Sequence, residues 1–148
     1  MVNNLTTDAA GRAFITHEEG EKLNEYKCAA GVDTIGVGHT RGVTDGEKIS
    51  ESQSQAFLSE DLAHFEAAVN RLVTVPLNQH QFNALVSFAF NLGEGALAKS
   101  SLLKLINGKA QDAAVLTAHF TMWDNVNGKP NASILARRNR EAALFLTH

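Results

Sequence analysis

Residues His17-Glu-Glu-Gly-Glu-Lys-Leu-Asn-Glu-Tyr-Lys-Cys-Ala-Ala-Gly-Val-Asp-Thr-Ile-Gly-Val-Gly-His39 hold the change of character that decides the fold. Just upstream, Thr7 or Asp8 can cap a helix that runs through Ala10, Phe14 and His17, with Glu18 and Glu19 at its end. Downstream, Gly20, Gly31, Gly36, Gly38 and Gly42 punctuate a run in which β-branched residues alternate with small or polar ones, which predicts a small twisted hairpin or a three-stranded sheet. Glu19 therefore stands where a helix gives way to a glycine-rich sheet.

Beyond this stretch the periodicity turns helical. Ser50-Glu-Ser-Gln offers a capping box, and Phe57, Leu58, Leu62, Phe65, Val69 and Leu72 form one apolar stripe of a long helix that ends before Pro76. Asn78 caps a segment from Phe82 to Leu92 that is apolar on nearly every side, as expected of a helix surrounded by others, and Gly93 closes it. Further helices are expected at about 97–107, stopped by Gly108, at about 110–123, and from Asn131 onward, with Asn125-Val-Asn-Gly-Lys-Pro130 as a turn. The pattern predicts an α+β class: an N-terminal lobe with a short antiparallel sheet over about 1–50, a spine helix over about 51–73 and a helical C-terminal lobe over about 74–148. A cleft between the lobes is the expected ligand site.

The 148 residues fit one domain and suffice for a real core, and 44% apolar with 20% charged residues is the balance of an ordinary globular chain. Residues 1–71 carry 6 Lys/Arg against 12 Asp/Glu and residues 72–148 carry 7 against 4, an asymmetry that could steer an anionic polymer toward the second half. The lone cysteine, Cys28, allows no intramolecular disulfide. The first residues lack a basic segment followed by an apolar one, and no 18-residue apolar run occurs, so neither an export signal nor a membrane anchor is expected.

A carboxyl group placed like Glu19 and walled by apolar residues can be raised enough to donate a proton near neutral pH, as a general acid requires. Asp33 adjoins Thr34, so strand alternation turns it to the opposite face. His17, His64, His80, His119 and His148 show no metal-ligand spacing, so neither a metal nor a cofactor is implied. Arg137-Arg138-Asn-Arg140 on one helix of an acidic chain is weak evidence for nucleic acid, and none is expected as a partner.

Glu19, eight residues, Cys28, five residues, Thr34 and then Ile35-Gly-Val-Gly-His39 closely resembles the mark of the phage-type lysozyme family, the endolysins of T-even and lambdoid phages, in a variant with cysteine at the usual aspartate position. The resemblance continues through Phe57-Leu-Ser-Glu-Asp-Leu62, Val75-Pro-Leu-Asn-Gln79, Phe88-Ala-Phe-Asn-Leu-Gly93, Ser101-Leu-Leu103 and Arg137-Arg-Asn-Arg-Glu141, essentially the whole chain. It implies a lysozyme-like fold and hydrolysis of the β-1,4 bond between N-acetylmuramic acid and N-acetylglucosamine in peptidoglycan, leading to host lysis. It also implies that Glu19 protonates the leaving oxygen while Cys28 and Thr34 hold or activate water on the other side of the sugar, the inverting arrangement. Gly38, Phe90 and Asn91 fall at family cleft positions. Arg137 or Arg138 matches an arginine that pairs with the catalytic glutamate, and His39 matches a structural histidine paired with an aspartate, here Asp61. The same resemblance implies a monomer that accumulates in the host bacterial cytoplasm and reaches the periplasmic wall after a separate membrane-permeabilising phage protein acts. With one catalytic domain filling the chain, no separate wall-binding module is expected.

Cysteine changes the chemistry. A thiol with an ordinary pKa of about 8.5 is mostly neutral at pH 7 and carries no permanent charge, which leaves three roles: a polarisable partner for water, a minority thiolate base, or a nucleophile. Two rival activities keep the wall as substrate. A lytic transglycosylase needs one acid/base glutamate and no water-positioning pair, so Cys28 with Thr34 argues against it. A peptidase or amidase would use Cys28 with His39, but such a nucleophile usually sits at a helix N-terminus or in a defined triad.

Overall fold

The computed structural model describes residues 1–28 and 31–148. Helix α1, Ala9–Glu19, is capped by Asp8, whose side chain accepts from the Gly11 N–H, and it stops at Gly20. Strand β1, Lys22–Lys27, pairs antiparallel with β2, Asp33–Gly36, in a register that sets Tyr26 opposite Thr34 and Lys27 opposite Asp33, with an irregularity between Lys22 and Tyr26. The sheet is two-stranded. Single bridges, Asn24 to Lys48 and Ile35 to His39, stand where a third strand was one of the two expectations.

Helix α2, Glu51–Leu72, is the spine, and its Ser50–Gln53 capping box forms in both directions. Leu58, Leu62 and Val69 of its stripe are buried completely, while Phe57, Phe65 and Leu72 lie partly exposed at the margins. Helix α3, Gln79–Leu92, is capped reciprocally by Asn78 and Gln81 and buries every residue from Phe82 to Ala89. It can do so because α1, α2 and α7 surround it. Each fully buried Leu or Phe here contributes about 1.5–3 kcal/mol.

The helix expected over 97–107 is two: α4, Glu94–Lys99, and α5, Ser101–Asn107. Ser100 breaks it, because its hydroxyl accepts from the Leu103 N–H and caps α5 instead of continuing α4. Helix α6 is shorter than expected, Ala113–Thr121, because Asp112 caps it late. The turn at 125–130 is a hairpin of β3, Asn125–Val126, and β4, Lys129–Pro130, joined by Asn127-Gly128, a favoured two-residue connection. Helix α7, Ala132–Phe145, packs on α3 and α6 and closes one contiguous core with Phe88, Phe120 and Phe145 at its centre. Among the described residues no helix is long and apolar enough to cross a membrane.

Candidate active site

Three elements converge on Glu19. The C-terminal end of α1 carries it, and its side chain is 19% exposed. From α7, Arg137 Nη1 donates to Glu19 Oε2 at 2.7 Å, so the carboxylate is gripped by a cation on one side rather than walled by apolar groups alone. From the loop after β2, Gly38 supplies backbone without a side chain: a Cβ there would stand 3.3 Å from Glu19 Oε1 and 3.8 Å from Phe90 Cε1, and its φ of +70° disfavours any L side chain. Gly38 and Phe90 also line a pocket of about 270 Å³ together with Asp61, His64 and Phe65. Phe90 therefore belongs to the cleft margin rather than to the core interior, and the neighbouring α2 residue Phe65 meets it edge to face.

Cys28 and Thr34 are tied to one atom. The Val32 carbonyl accepts both the Cys28 N–H at 3.0 Å and the Thr34 hydroxyl at 2.8 Å, which holds the two residues together across the turn from β1 to β2. Because its single proton goes to Val32, the Thr34 oxygen is left as an acceptor. Tyr26, absent from the sequence-derived set, stands opposite Thr34, and its phenol is pushed above the ordinary value by burial and, beyond that, by Glu19 and by Cys28 when ionised. Its place opposite Thr34 follows from the neighbouring pair of Lys27 with Asp33, a register that the sequence alone did not fix.

Asp33 faces away, as alternation predicts, and forms an ion pair with Lys27. Glu25, Asp33 and Asp45 lie close enough to share a cation, but the Lys27 ammonium already sits among them, and hydrogen bonding to Asp33 raises its pKa. His39 is buried, with Nδ1 2.8 Å from Asp61 Oδ2 and its ring stacked on Phe57 at 4.1 Å.

The arginine register resolves at α7. Arg137 reaches Glu19, whereas Arg138 is fully buried, donates from Nη2 to Asn91 Oδ1 at 2.7 Å and lies over the Phe88 ring. Arg140 grips Glu18 through two N–H groups, one at 2.7 Å. The sequence reading missed Glu141, which is completely buried behind both arginines. The Arg-Arg-x-x-Glu spacing, three and four residues apart on a helix, was the signal that could have found it.

A helical bundle and a small sheet, with a glutamate at the end of the first helix held by an arginine and a threonine and a cysteine joined at the end of the sheet, agree with the lysozyme class. The phage lysozyme family matches residues 16–141. The endolysin of Salmonella phage P22 is 42% identical over 142 residues, covering 93% of this chain and 95% of the relative. Among solved structures, the muramidase domain of SpmX from Asticaccaulis excentricus superposes with a TM-score of 0.89 at 33% identity, over 98% of this chain and all of that one. A P22 lysozyme variant does so with a TM-score of 0.86 at 38% identity, over 97% and 100%. The chain belongs to the phage lysozyme family. It is a peptidoglycan-degrading lysozyme, a glycoside hydrolase with the family's mixed, helix-rich fold and small antiparallel sheet.

Proposed function

We propose that the chain is an inverting N-acetylmuramidase in which Glu19 is the general acid and Cys28 and Thr34 position the attacking water. The observation that carries this reading is the grip of Arg137 on one oxygen of Glu19, which leaves the other turned toward the space that Gly38 keeps open. Glu19 there is placed to protonate the glycosidic oxygen between N-acetylmuramic acid and N-acetylglucosamine as the bond breaks. On the opposite side, a water donating to Thr34 Oγ1 and resting near the Cys28 sulfur would be aimed at the anomeric carbon. The first of the three roles, a polarisable partner for water, suits Cys28 best because its backbone and Thr34 are fixed by the same carbonyl.

A Cys28/His39 peptidase is disfavoured by the commitment of the His39 ring to Asp61 and Phe57. The remaining residues have supporting places: Phe90 borders the cleft, Asn91 accepts from the buried Arg138, and His39 with Asp61 braces the loop that carries Gly38. We further propose a monomer that acts on peptidoglycan after release from the host cytoplasm by a separate membrane-permeabilising protein; the endolysin name of the P22 relative supports the action on the wall.

The test is clearing of purified cell walls. Glu19→Gln is expected to lower the rate by about 10²–10⁴-fold while the thermal midpoint stays near that of the parent. Complete alkylation of Cys28 is expected to abolish activity and Cys28→Asp to retain it, and full activity after alkylation would remove Cys28 from the mechanism.

A further inference from the structure

Glu141 makes no contact with solvent, yet Ser87 and two arginines converge on it. Its Oε2 accepts from the Ser87 hydroxyl, from Arg137 Nε at 3.1 Å and from Arg138 Nη2 at 3.3 Å. Arg138 Nε stands 2.8 Å from the other oxygen, an ion-pair distance without the alignment of a hydrogen bond. Each nitrogen of Arg137 is engaged in turn: Nε goes to Glu141, Nη2 to the Ser87 carbonyl and hydroxyl at 3.3 Å, and Nη1 to Glu19. With all three nitrogens assigned, the plane of the guanidinium is fixed, and Nη1 is the one that faces the cleft.

We propose that Glu141 is a positioning residue for the reaction: from behind, it orients Arg137 toward Glu19 and offsets part of its charge, so that Glu19 meets a directed hydrogen-bond donor rather than a full cation. The proposal rests on the reading of Glu19 as the acid. A buried carboxylate used for stability alone is a poor choice, since apolar groups of similar volume often serve as well or better. Two carboxylates, Glu19 and Glu141, balance two guanidiniums, Arg137 and Arg138, in one connected set. The neighbouring charges are otherwise committed: Glu18 on α1 is held by Arg140 on α7, Ser87 and Asn91 of α3 are neutral, Gly38 and Phe90 carry no charge, and Tyr26 of β1 and Cys28 just beyond it are the titratable groups on the sheet side, Glu19 acting electrostatically on Tyr26. Burial pushes the Glu141 carboxyl above the ordinary range, and Arg138, Arg137 and Ser87 pull it back toward ionisation.

Removing the charge of Glu141 would leave Glu19 as the one carboxylate paired with Arg137, so Glu19 would face a fuller cation and give up its proton more readily. For Glu141→Gln, release of reducing ends from purified peptidoglycan should therefore show an alkaline limb of kcat/KM moved down by about one pH unit, with KM little changed. Glu141→Asp keeps the charge but retracts it, so its limb should stay in place while kcat falls. A folded Glu141→Gln with the parental limb and kcat overturns the proposal. Should Glu141→Gln not fold, Ser87→Ala loosens Glu141 by deleting one hydroxyl and should shift the limb in the same direction by less; an unmoved limb there overturns the proposal too. Glu19→Gln run alongside separates the two readings, because full activity in that variant contradicts the acid assignment whatever the limbs do.

Discussion

Gly38 shows how closely the site depends on one backbone position. An added methyl would press on Glu19 Oε1 at 3.3 Å and force an L side chain into the left-handed region, a conformation costing about 1–2 kcal/mol. Gly38→Ala is expected to lower the thermal midpoint by a few degrees and wall-clearing activity by a larger factor, because the carboxylate itself must move. Equal losses of stability and activity would mean that the contact does not reach the chemistry. At this scale the sequence was informative where a spacing carried chemistry, as for Glu19, Cys28 and Thr34. It was silent where partners come from distant segments: nothing local says that Arg137 rather than Arg138 faces Glu19, since a shift of one residue turns a helical side chain by roughly 100°. Tyr26 was invisible for a related reason, its partner being set by the register in which β1 meets β2.

Among the elements, α1 and α3 meet closely at Gly11. A Cβ on Gly11 would stand 2.5 Å from the Asn83 side chain, which is itself fixed by Asp8 and Gln79. Gly11→Ala should destabilise the fold by about 1–3 kcal/mol in denaturant titration, although alanine is the better helix former; a gain in stability would show that the two helices can part. Ser50→Ala, which removes one half of the α2 capping box, should cost about 1 kcal/mol in the same assay. Helix starts were legible because Asp8, Ser50, Asn78 and Asn131 announce themselves as caps, and each accepts from an N–H of the first turn. The break at Ser100 was not, because a serine inside an apolar run reads equally as a helix interior or as a new cap until packing chooses.

Across the whole molecule, charge couples the fold to pH. Glu18 titrates below its ordinary value: burial opposes ionisation, but the Arg140 guanidinium outweighs it. Asp8 is lowered by the Gly11 N–H and Asn83, and Glu21 by Ser54 and Gln55. A carboxyl with a depressed folded pKa contributes stability above its unfolded value and loses it as pH falls through the folded one. The thermal midpoint should therefore fall below about pH 4.5, the ordinary glutamate value, and the gap between the parent and Glu18→Gln should close there. A gap that persists undiminished in acid would mean that the Glu18–Arg140 pair contributes packing alone. Glu141, raised by burial, works in the opposite sense, its contribution shrinking as pH rises. The α+β class was readable from the switch of period near residue 44, whereas the connected set of charges that joins α1 and α7 required the fold.

The claim that governs all of these is that Glu19 drives hydrolysis at the muramic acid bond. Mass spectrometry of the fragments released from purified peptidoglycan measures it directly. Muramic acid residues with free reducing ends, formed by the parent and absent with Glu19→Gln, are the predicted result. Fragments ending in 1,6-anhydromuramic acid, or undiminished release by Glu19→Gln, would contradict it.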